Sequence, residues 1–214
     1  MTRPPPKEEL MKIKQMEVGP IMTNCYIVEN EETRHGVLID PGDDGDRIMD
    51  LVKADGLTID AILLTHGHAD HISGLPEVRR ETGAKVYIHA GDADRLTHSR
   101  SAFFPGPAKD FGAADVLYQD GDTVEAAGYS FRVLFTPGHT PGGVCLQCGN
   151  YVFCGDTIFA ESIGRTDLPG GSYDQLLTSI HTKILPLADE VVLLPGHGPA
   201  TTVGWERKRN PFLQ

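Results

Sequence analysis

The residues best suited to chemistry lie in one run, Thr65-His66-Gly67-His68-Ala69-Asp70-His71. Four potential metal ligands fall within six residues, directly after the apolar Ala61-Ile62-Leu63-Leu64. His66 and His68 are two apart, so both side chains project from one side of an extended segment. Asp70 and His71 follow where the chain turns into a helix beginning near Ser73. One ion rarely takes four ligands from so short a stretch, so the run serves two neighbouring positions. Imidazole with carboxylate suits zinc, iron, manganese or cobalt, whereas calcium and magnesium prefer oxygen donors alone. A lone histidine at a strand end is an ordinary surface residue; the whole H-x-H-x-D-H pattern is not.

Three further candidates stand just past apolar runs. His139 follows Val133-Leu134-Phe135, Asp156 follows Tyr151-Val152-Phe153-Cys154, and His197 follows Val191-Val192-Leu193-Leu194. Strand ends in open α/β sheets are where ligands gather. With the cluster these make seven ligands, a set that suits two metals sharing one carboxylate.

Those positions need strands to carry them. Asp40-Pro41-Gly42 ends the run Gly36-Val37-Leu38-Ile39, the same theme again. Helical spacing appears over 46–54, 73–82 and 173–185. Continuous apolar strands alternating with helices predict a layered α/β fold. The stretch 116–154 reads as consecutive strands, which predicts two mixed halves, roughly 11–105 and 106–214. Residues 1–10, with Pro4-Pro5-Pro6, read as a flexible N-terminal tail, leaving 11–214 as a single catalytic domain. The least patterned stretch runs from Asp92 to Gly121, where Phe103-Phe104-Pro105 would roof a pocket or pack down. His35, His89, His98 and His181 fall outside the motif order and read as ordinary residues. Ser73 reads as a helix start and Ser172 as a turn residue.

Cys145 and Cys148 form a C-x-x-C, which alone would invite a redox or zinc reading. Residues 144–146 and 151–154 read instead as two strands joined at Gly149-Asn150, with the two thiols on opposite faces. Reduced, partly buried thiols are the expectation for all four cysteines.

The 214 residues include 30 Asp+Glu against 19 Lys+Arg, a net charge of −11 that argues against a nucleic-acid surface. No apolar run exceeds four residues, so no membrane span is expected. The N-terminus lacks the apolar stretch of a secretion signal, so a cytoplasmic location is expected.

THGHADH, then PGHTPG, CGDT and PGHG, in that order, resembles the metallo-β-lactamase-fold hydrolases over about 11–213. The resemblance implies a four-layer αββα sandwich with a metal site at one edge of its sheets. On it, His66, His68 and His139 would hold one metal; Asp70, His71 and His197 would hold a second; Asp156 would bridge them. Asp40 would stand behind them, orienting a ligand or a loop. It implies two divalent ions, zinc first and iron or manganese next. Asp156 occupies the place of a cysteine in the best-known zinc β-lactamases, which disfavours antibiotic hydrolysis. His68 stands where flavodiiron oxygen reductases carry glutamate, which disfavours that branch.

TNCYIV (23–28), GRTDLPGG (164–171) and ERKRNPF (206–212) are similar to the short type II glyoxalases, the hydroxyacylglutathione hydrolase-like proteins. That resemblance implies hydrolysis of a small-molecule thioester such as S-lactoylglutathione by a metal-bridging hydroxide, with Asp70 and Asp156 catalytic. Full-length type II glyoxalases add a helical glutathione-binding region, most of which is missing after PGHGPATT here. The GRTD and THGHADHISG elements also resemble persulfide dioxygenases, which would place a single iron at His66, His139 and Asp156. Other esterases and lactonases of the fold share the ligands, and a metal-free binding module is the remaining class. Arg165 would contact a substrate carboxylate or pair with Asp167. Arg207, Lys208 and Arg209 would catch a glutathione carboxylate or stay solvated. The protein is expected to be a monomer or homodimer.

Overall fold

The computed structural model describes residues 11–99 and 107–214. The expected tail at 1–10 and Phe103-Phe104-Pro105 lie outside the described residues.

Two six-stranded sheets form the centre. The first contains β1 (Met11–Val18), β2 (Thr23–Asn30), β3 (His35–Ile39), β4 (Thr58–Leu63), β5 (Lys85–His89) and β6 (Val116–Tyr118), side by side in chain order. Its first three strands are antiparallel; β3 through β6 run parallel. The second is ordered β14-β13-β10-β9-β8-β7, with β7 (Thr123–Ala126), β8 (Tyr129–Phe135), β9 (Val144–Cys148), β10 (Tyr151–Gly155), β13 (Val192–Pro195) and β14 (Thr201–Thr202). A small hairpin, β11 (Ile158–Phe159) and β12 (Ser162–Ile163), stands apart.

Alternation along the strands sorts the apolar side chains into three layers. Tyr26, Val28, Val37, Ile39 and Leu63 meet Phe131, Val133, Leu146 and Phe153 between the sheets. The opposite face of the first sheet, through Ile27, Leu38, Ile62 and Val86, packs on α1 (Gly45–Ala54), α2 (Ala69–Ile72), α3 (Leu75–Thr82) and α4 (Ala93–Thr97). The outer face of the second, through Leu134, Val152, Cys154 and Leu193, packs on α5 (Tyr173–Ser179), the π-helical turn Ile180–Ile184 and α6 (Val203–Arg209). Helix, sheet, sheet, helix: this is the αββα sandwich. Strands covered on both faces need unbroken apolar runs, which is why those runs are so plain in the sequence.

Three expectations need correction. The halves divide between Tyr118 and Thr123, not at residue 105, because β6 pairs parallel with β5 across the unpatterned stretch. Ser172 caps α5, its hydroxyl accepting from the Gln175 N–H. Ser73 instead closes α2, donating to the Ala69 carbonyl at 2.6 Å. The hairpin at Gly149-Asn150 forms as expected; Cys145 faces the outer layer and Cys148 the inter-sheet layer. All four cysteines are buried, and none of them forms a disulfide. Among the described residues, no helix is long and apolar enough to cross a membrane.

Candidate metal centre

Strands β3, β4, β8, β10 and β13 point the same way, so the segments following them share one edge of the sandwich. Asp40, the 65–71 run, His139, Asp156 and His197 all stand there. Asp40 has φ +50, a left-handed turn that swings its buried carboxylate beneath the loop after β4. There it accepts from the Thr65 N–H at 2.7 Å and the Thr65 hydroxyl at 2.6 Å. Having donated its proton, the Thr65 hydroxyl accepts from His66 Nδ1 at 3.1 Å. His71 Nδ1 lies 2.9 Å from Asp40 Oδ2. One carboxylate thereby fixes the orientation of two rings, and His139 Nδ1 donates to the Arg165 carbonyl at 2.7 Å. Each of the three rings turns its Nε2 toward the edge.

The freed nitrogens form two sets. His68 Nδ1 lies 3.2 Å from His66 Nε2 and 2.9 Å from His139 Nε2. Beside them, Asp70 Oδ2 lies 3.4 Å from His71 Nε2 and 3.3 Å from His197 Nε2. In each set the ligand atoms all fall within 4.8 Å of one another. Asp156 stands between the sets, with Oδ2 3.4 Å from His139 Nε2 and Oδ1 3.3 Å from His71 Nε2.

The donors suit divalent cations. His71 Nε2 and Asp156 Oδ1 are buried and have no hydrogen-bond partner, although they face each other. Buried polar atoms are normally satisfied, so two orphans in one spot mark a place for an ion. Burial, aided by neighbouring imidazoles, pushes His66 well below its ordinary 6.5 and His68 down to about 3, leaving both rings neutral. Burial opposes charge on Asp70, yet His71 and His197 hold it at about 2. Asp156 is likewise held far below the carboxylate range, its burial outweighed by His71, His139 and His197. Burial also opposes a proton on His71, but the carboxylates of Asp156, Asp70 and Asp40 raise it well above 6.5. His197 is raised against its burial by Asp70 and Asp156.

The TNCYIV segment has a mechanical part in this. Asn24 Nδ2 donates to the carbonyls of Pro195 and Gly198, both at 2.9 Å, and Tyr26 donates to Pro195 O at 2.7 Å. Together they grip the turn that carries His197. Thr23 donates to Asp70 Oδ2 at 3.3 Å. Two glycines leave the necessary room. A Cβ on Gly155 would meet Thr65 Oγ1 at 2.2 Å, and one on Gly196 would meet Asp156 Oδ1 at 2.3 Å.

A cavity of about 440 Å³ opens over both sets, with His68, Asp70, His139, Asp156 and His197 in its floor. Ile21, Phe159, Ile163 and Leu168 form an apolar wall, and Arg165 lies beside them. Arg165 makes a two-pronged pair with Asp167, both bonds at 2.8 Å. The C-terminal cations do not line this cavity. Arg207 is held by Asp189 and the carbonyls of Leu185 and Leu187, Lys208 lies 3.9 Å from Asp189, and Arg209 lies over Trp205. What the ERKRNPF segment sends inward is Glu206 and Asn210, both fully buried. Glu206 accepts from the Glu161 N–H at 2.9 Å and the Thr201 hydroxyl at 2.6 Å, while Asn210 donates to Ser162 O at 2.9 Å. They brace the β11–β12 hairpin that supplies Phe159 and Ile163. Sequence reasoning missed Thr65, Asn24, Glu206 and Asn210. Thr65 and Asn24 lie inside the THGHADH and TNCYIV motifs, whereas only the fold reveals which faces of 206–212 turn inward. His35, His89, His98 and His181 belong to neither set; His35 pairs with Asp60 at 2.6 Å.

Known proteins agree with this geometry. Residues 18–197 match the family model of the metallo-beta-lactamase superfamily. The chain is 40% identical over 208 residues to a probable metallo-hydrolase, YqgX, of Bacillus subtilis, covering 95% of this chain and 98% of that one. It is 33% identical over 213 residues to hydroxyacylglutathione hydrolase GloC of Haemophilus influenzae, again covering 95% and 98%. Among solved structures, the BLEG-1 B3 metallo-beta-lactamase superimposes with a TM-score of 0.89 at 40% identity, covering 94% of this chain and 99% of that one. TTHA1623 in a di-iron-bound form gives 0.81 at 36% identity, with 94% and 100% covered. ETHE1 from Myxococcus xanthus gives 0.78 at 31%, with 94% and 84% covered. The chain belongs to the metallo-beta-lactamase superfamily and is a metal-dependent hydrolase of that fold.

Proposed function

We propose that this hydrolase cleaves thioesters, foremost hydroxyacylglutathiones such as S-lactoylglutathione, at a centre of two divalent ions. One observation carries the reading: Asp156 divides its oxygens between two complete donor sets, facing His139 with one and His71 with the other. The 33% identity to a hydroxyacylglutathione hydrolase supports the substrate class.

His66, His68 and His139 would hold one ion and Asp70, His71 and His197 the other, with Asp156 reaching both. Divalent cations there supply hydroxide at neutral pH and polarise a carbonyl; zinc suits the donors best, with iron or manganese as alternatives. The chain does the rest. Asp70 and Asp156, both ionised and both lining the cavity, accept hydrogen bonds from water and aim its oxygen at the carbonyl carbon. Attack makes the C–O bond, the C–S bond breaks, and its electron pair departs on sulfur. Thiolates leave readily, so no dedicated acid is needed, and a carboxylate and a thiol remain. The apolar wall of Ile21, Phe159, Ile163 and Leu168 holds the acyl arm and excludes bulk water, while Arg165 meets a substrate carboxylate. Four buried cysteines outside any disulfide fit a reducing compartment, the cytoplasm.

Persulfide oxidation is the second reading, favoured by His139 and Asp156 lying 3.4 Å apart, as a two-His, one-Asp iron triad with His66 requires. His68, 2.9 Å from His139 Nε2, favours the three-histidine set instead. A β-lactamase 40% identical to this chain also makes lactam hydrolysis worth assaying, despite the aspartate at 156. Metal-loaded protein should release thiol from S-lactoylglutathione, consume no oxygen with glutathione persulfide and leave a chromogenic cephalosporin intact. Oxygen uptake without thiol release would overturn the thioesterase reading.

A further inference from the structure

Asp92 is fully buried at the end of the 3-10 turn Ala90–Asp92, and nothing in the chemistry above uses it. Both carboxylate oxygens are taken by backbone. The Gly67 N–H donates to Oδ2 at 2.9 Å and the Gly142 N–H donates to Oδ1 at 2.9 Å. Gly67 lies between His66 and His68; Gly142 lies in the loop that carries His139. One buried carboxylate therefore ties the loop leaving the first sheet to the loop leaving β8 of the second. Arg95 completes the arrangement, with Nε 3.4 Å from Asp92 and a bond of 2.9 Å to the Pro169 carbonyl.

The glycines make the approach possible. A Cβ on Gly142 would sit 2.4 Å from Asp92 N and 2.8 Å from Asp92 Cβ; one on Gly67 would sit 2.7 Å from Arg95 Cβ. Without side chains there, the strap pulls both loops tight against it. Its two ends flank the closest pair in the centre, His68 Nδ1 and His139 Nε2 at 2.9 Å. The other donor set is braced by different groups: Asp40 behind His71, Thr23 beside Asp70, and Asn24 and Tyr26 on the His197 turn.

We propose that Asp92 is a positioning residue that sets the spacing of His68 and His139, and so governs ion affinity at the three-histidine set alone. The inference rests on the metal-centre reading. Its effect belongs in the range of residues that orient ligands from behind, about 10–100-fold in affinity.

Zinc titrations of metal-free protein test it in two backgrounds: His197→Ala, which leaves the three-histidine set, and His139→Ala, which leaves the other. Asp92→Asn keeps the shape but turns an NH2 toward one of the two N–H groups, so one strap is lost; Asp92→Ala loses both. In the His197→Ala background, affinity should fall about 10-fold for Asp92→Asn and about 100-fold for Asp92→Ala. In the His139→Ala background it should stay within about 3-fold. Should Asp92→Ala fail to fold, Asp92→Asn and Gly142→Ala, which crowds the strap from its other end, carry the same expectation. Equal losses in both backgrounds, or none in either, would overturn the inference by itself. Wild-type protein that takes up neither zinc, iron nor manganese would overturn the metal-centre reading and this inference together.

Discussion

Asp40 holds Thr65 twice, by its N–H at 2.7 Å and its hydroxyl at 2.6 Å, and that double hold decides which way the hydroxyl points. A Thr65 hydroxyl that has donated to Asp40 can only accept from His66 Nδ1. Thr65→Val keeps the shape and removes the relay. Metal affinity should fall about 10–100-fold, while Thr65→Ser should retain most of it. Dialysis against a graded chelator, followed by elemental analysis, reads the difference. Valine and serine variants that retain zinc equally would show that the relay has no such part.

Asp156→Ala removes the carboxylate between the donor sets, taking away the oxygens that His71 Nε2 and His139 Nε2 face. Metal content should drop by at least one ion per chain. Turnover of S-lactoylglutathione should fall by roughly 10²–10³-fold or more. Full activity in metal-depleted Asp156→Ala protein would refute the two-ion scheme.

Gly196→Ala tests packing at the same spot. Its Cβ would lie 2.3 Å from Asp156 Oδ1 and 2.6 Å from His71 Cε1, against groups locked in place. Overpacking of this kind costs about 1–3 kcal/mol. Both the melting temperature and the uptake of the second ion should fall, measured by calorimetry and by titration.

Metal uptake should release protons. In the metal-free chain His71 is raised well above 6.5 and His197 is raised as well, so His71 carries a proton at neutrality that a cation must displace and His197 holds one more firmly than a free imidazole. Affinity should therefore climb as pH rises through the neutral range. Titration calorimetry in two buffers of different ionisation enthalpy should show about one proton or more released per chain at pH 7. The metal-free fold should show the mirror image. The contribution of His71 is full below pH 6.5 and lost as pH rises through its higher folded value. That of Asp70 is present above 3.8 and lost as pH falls toward 2.

Removing the C-terminal cations should leave catalysis intact. Arg207→Ala, Lys208→Ala and Arg209→Ala alter groups that face Asp189, backbone carbonyls and Trp205, so KM should change by less than about 2-fold. Phe159→Ala, which opens the cavity wall, should raise KM about 10-fold or more. A KM that follows the cations instead would restore their part in binding substrate.

The centre is far more legible in the sequence than its supports. His66, His68, Asp70 and His71 announce themselves because ligands packed this densely behind an apolar run seldom gather by chance. The strands are plain because burial on both faces leaves no room for polar interruption. Asp92 gives no signal: its importance lies in two backbone N–H groups 25 and 50 residues away, which no local pattern encodes. The three-residue β6 is too short to show alternation, so the expected division between halves falls in the wrong place. Glu206 and Asn210 are masked by the charges around them, since only the helix phase separates the buried pair from Arg207, Lys208 and Arg209.

Whether two ions serve one thioesterase site is tested most directly by a single titration. Metal-free protein receives zinc in steps while thiol release from S-lactoylglutathione is followed at each addition. Activity should rise to a plateau at two equivalents and fail to appear in Asp156→Ala protein. A plateau at one equivalent of zinc, or iron-loaded protein that consumes oxygen with glutathione persulfide and releases no thiol from S-lactoylglutathione, would contradict it.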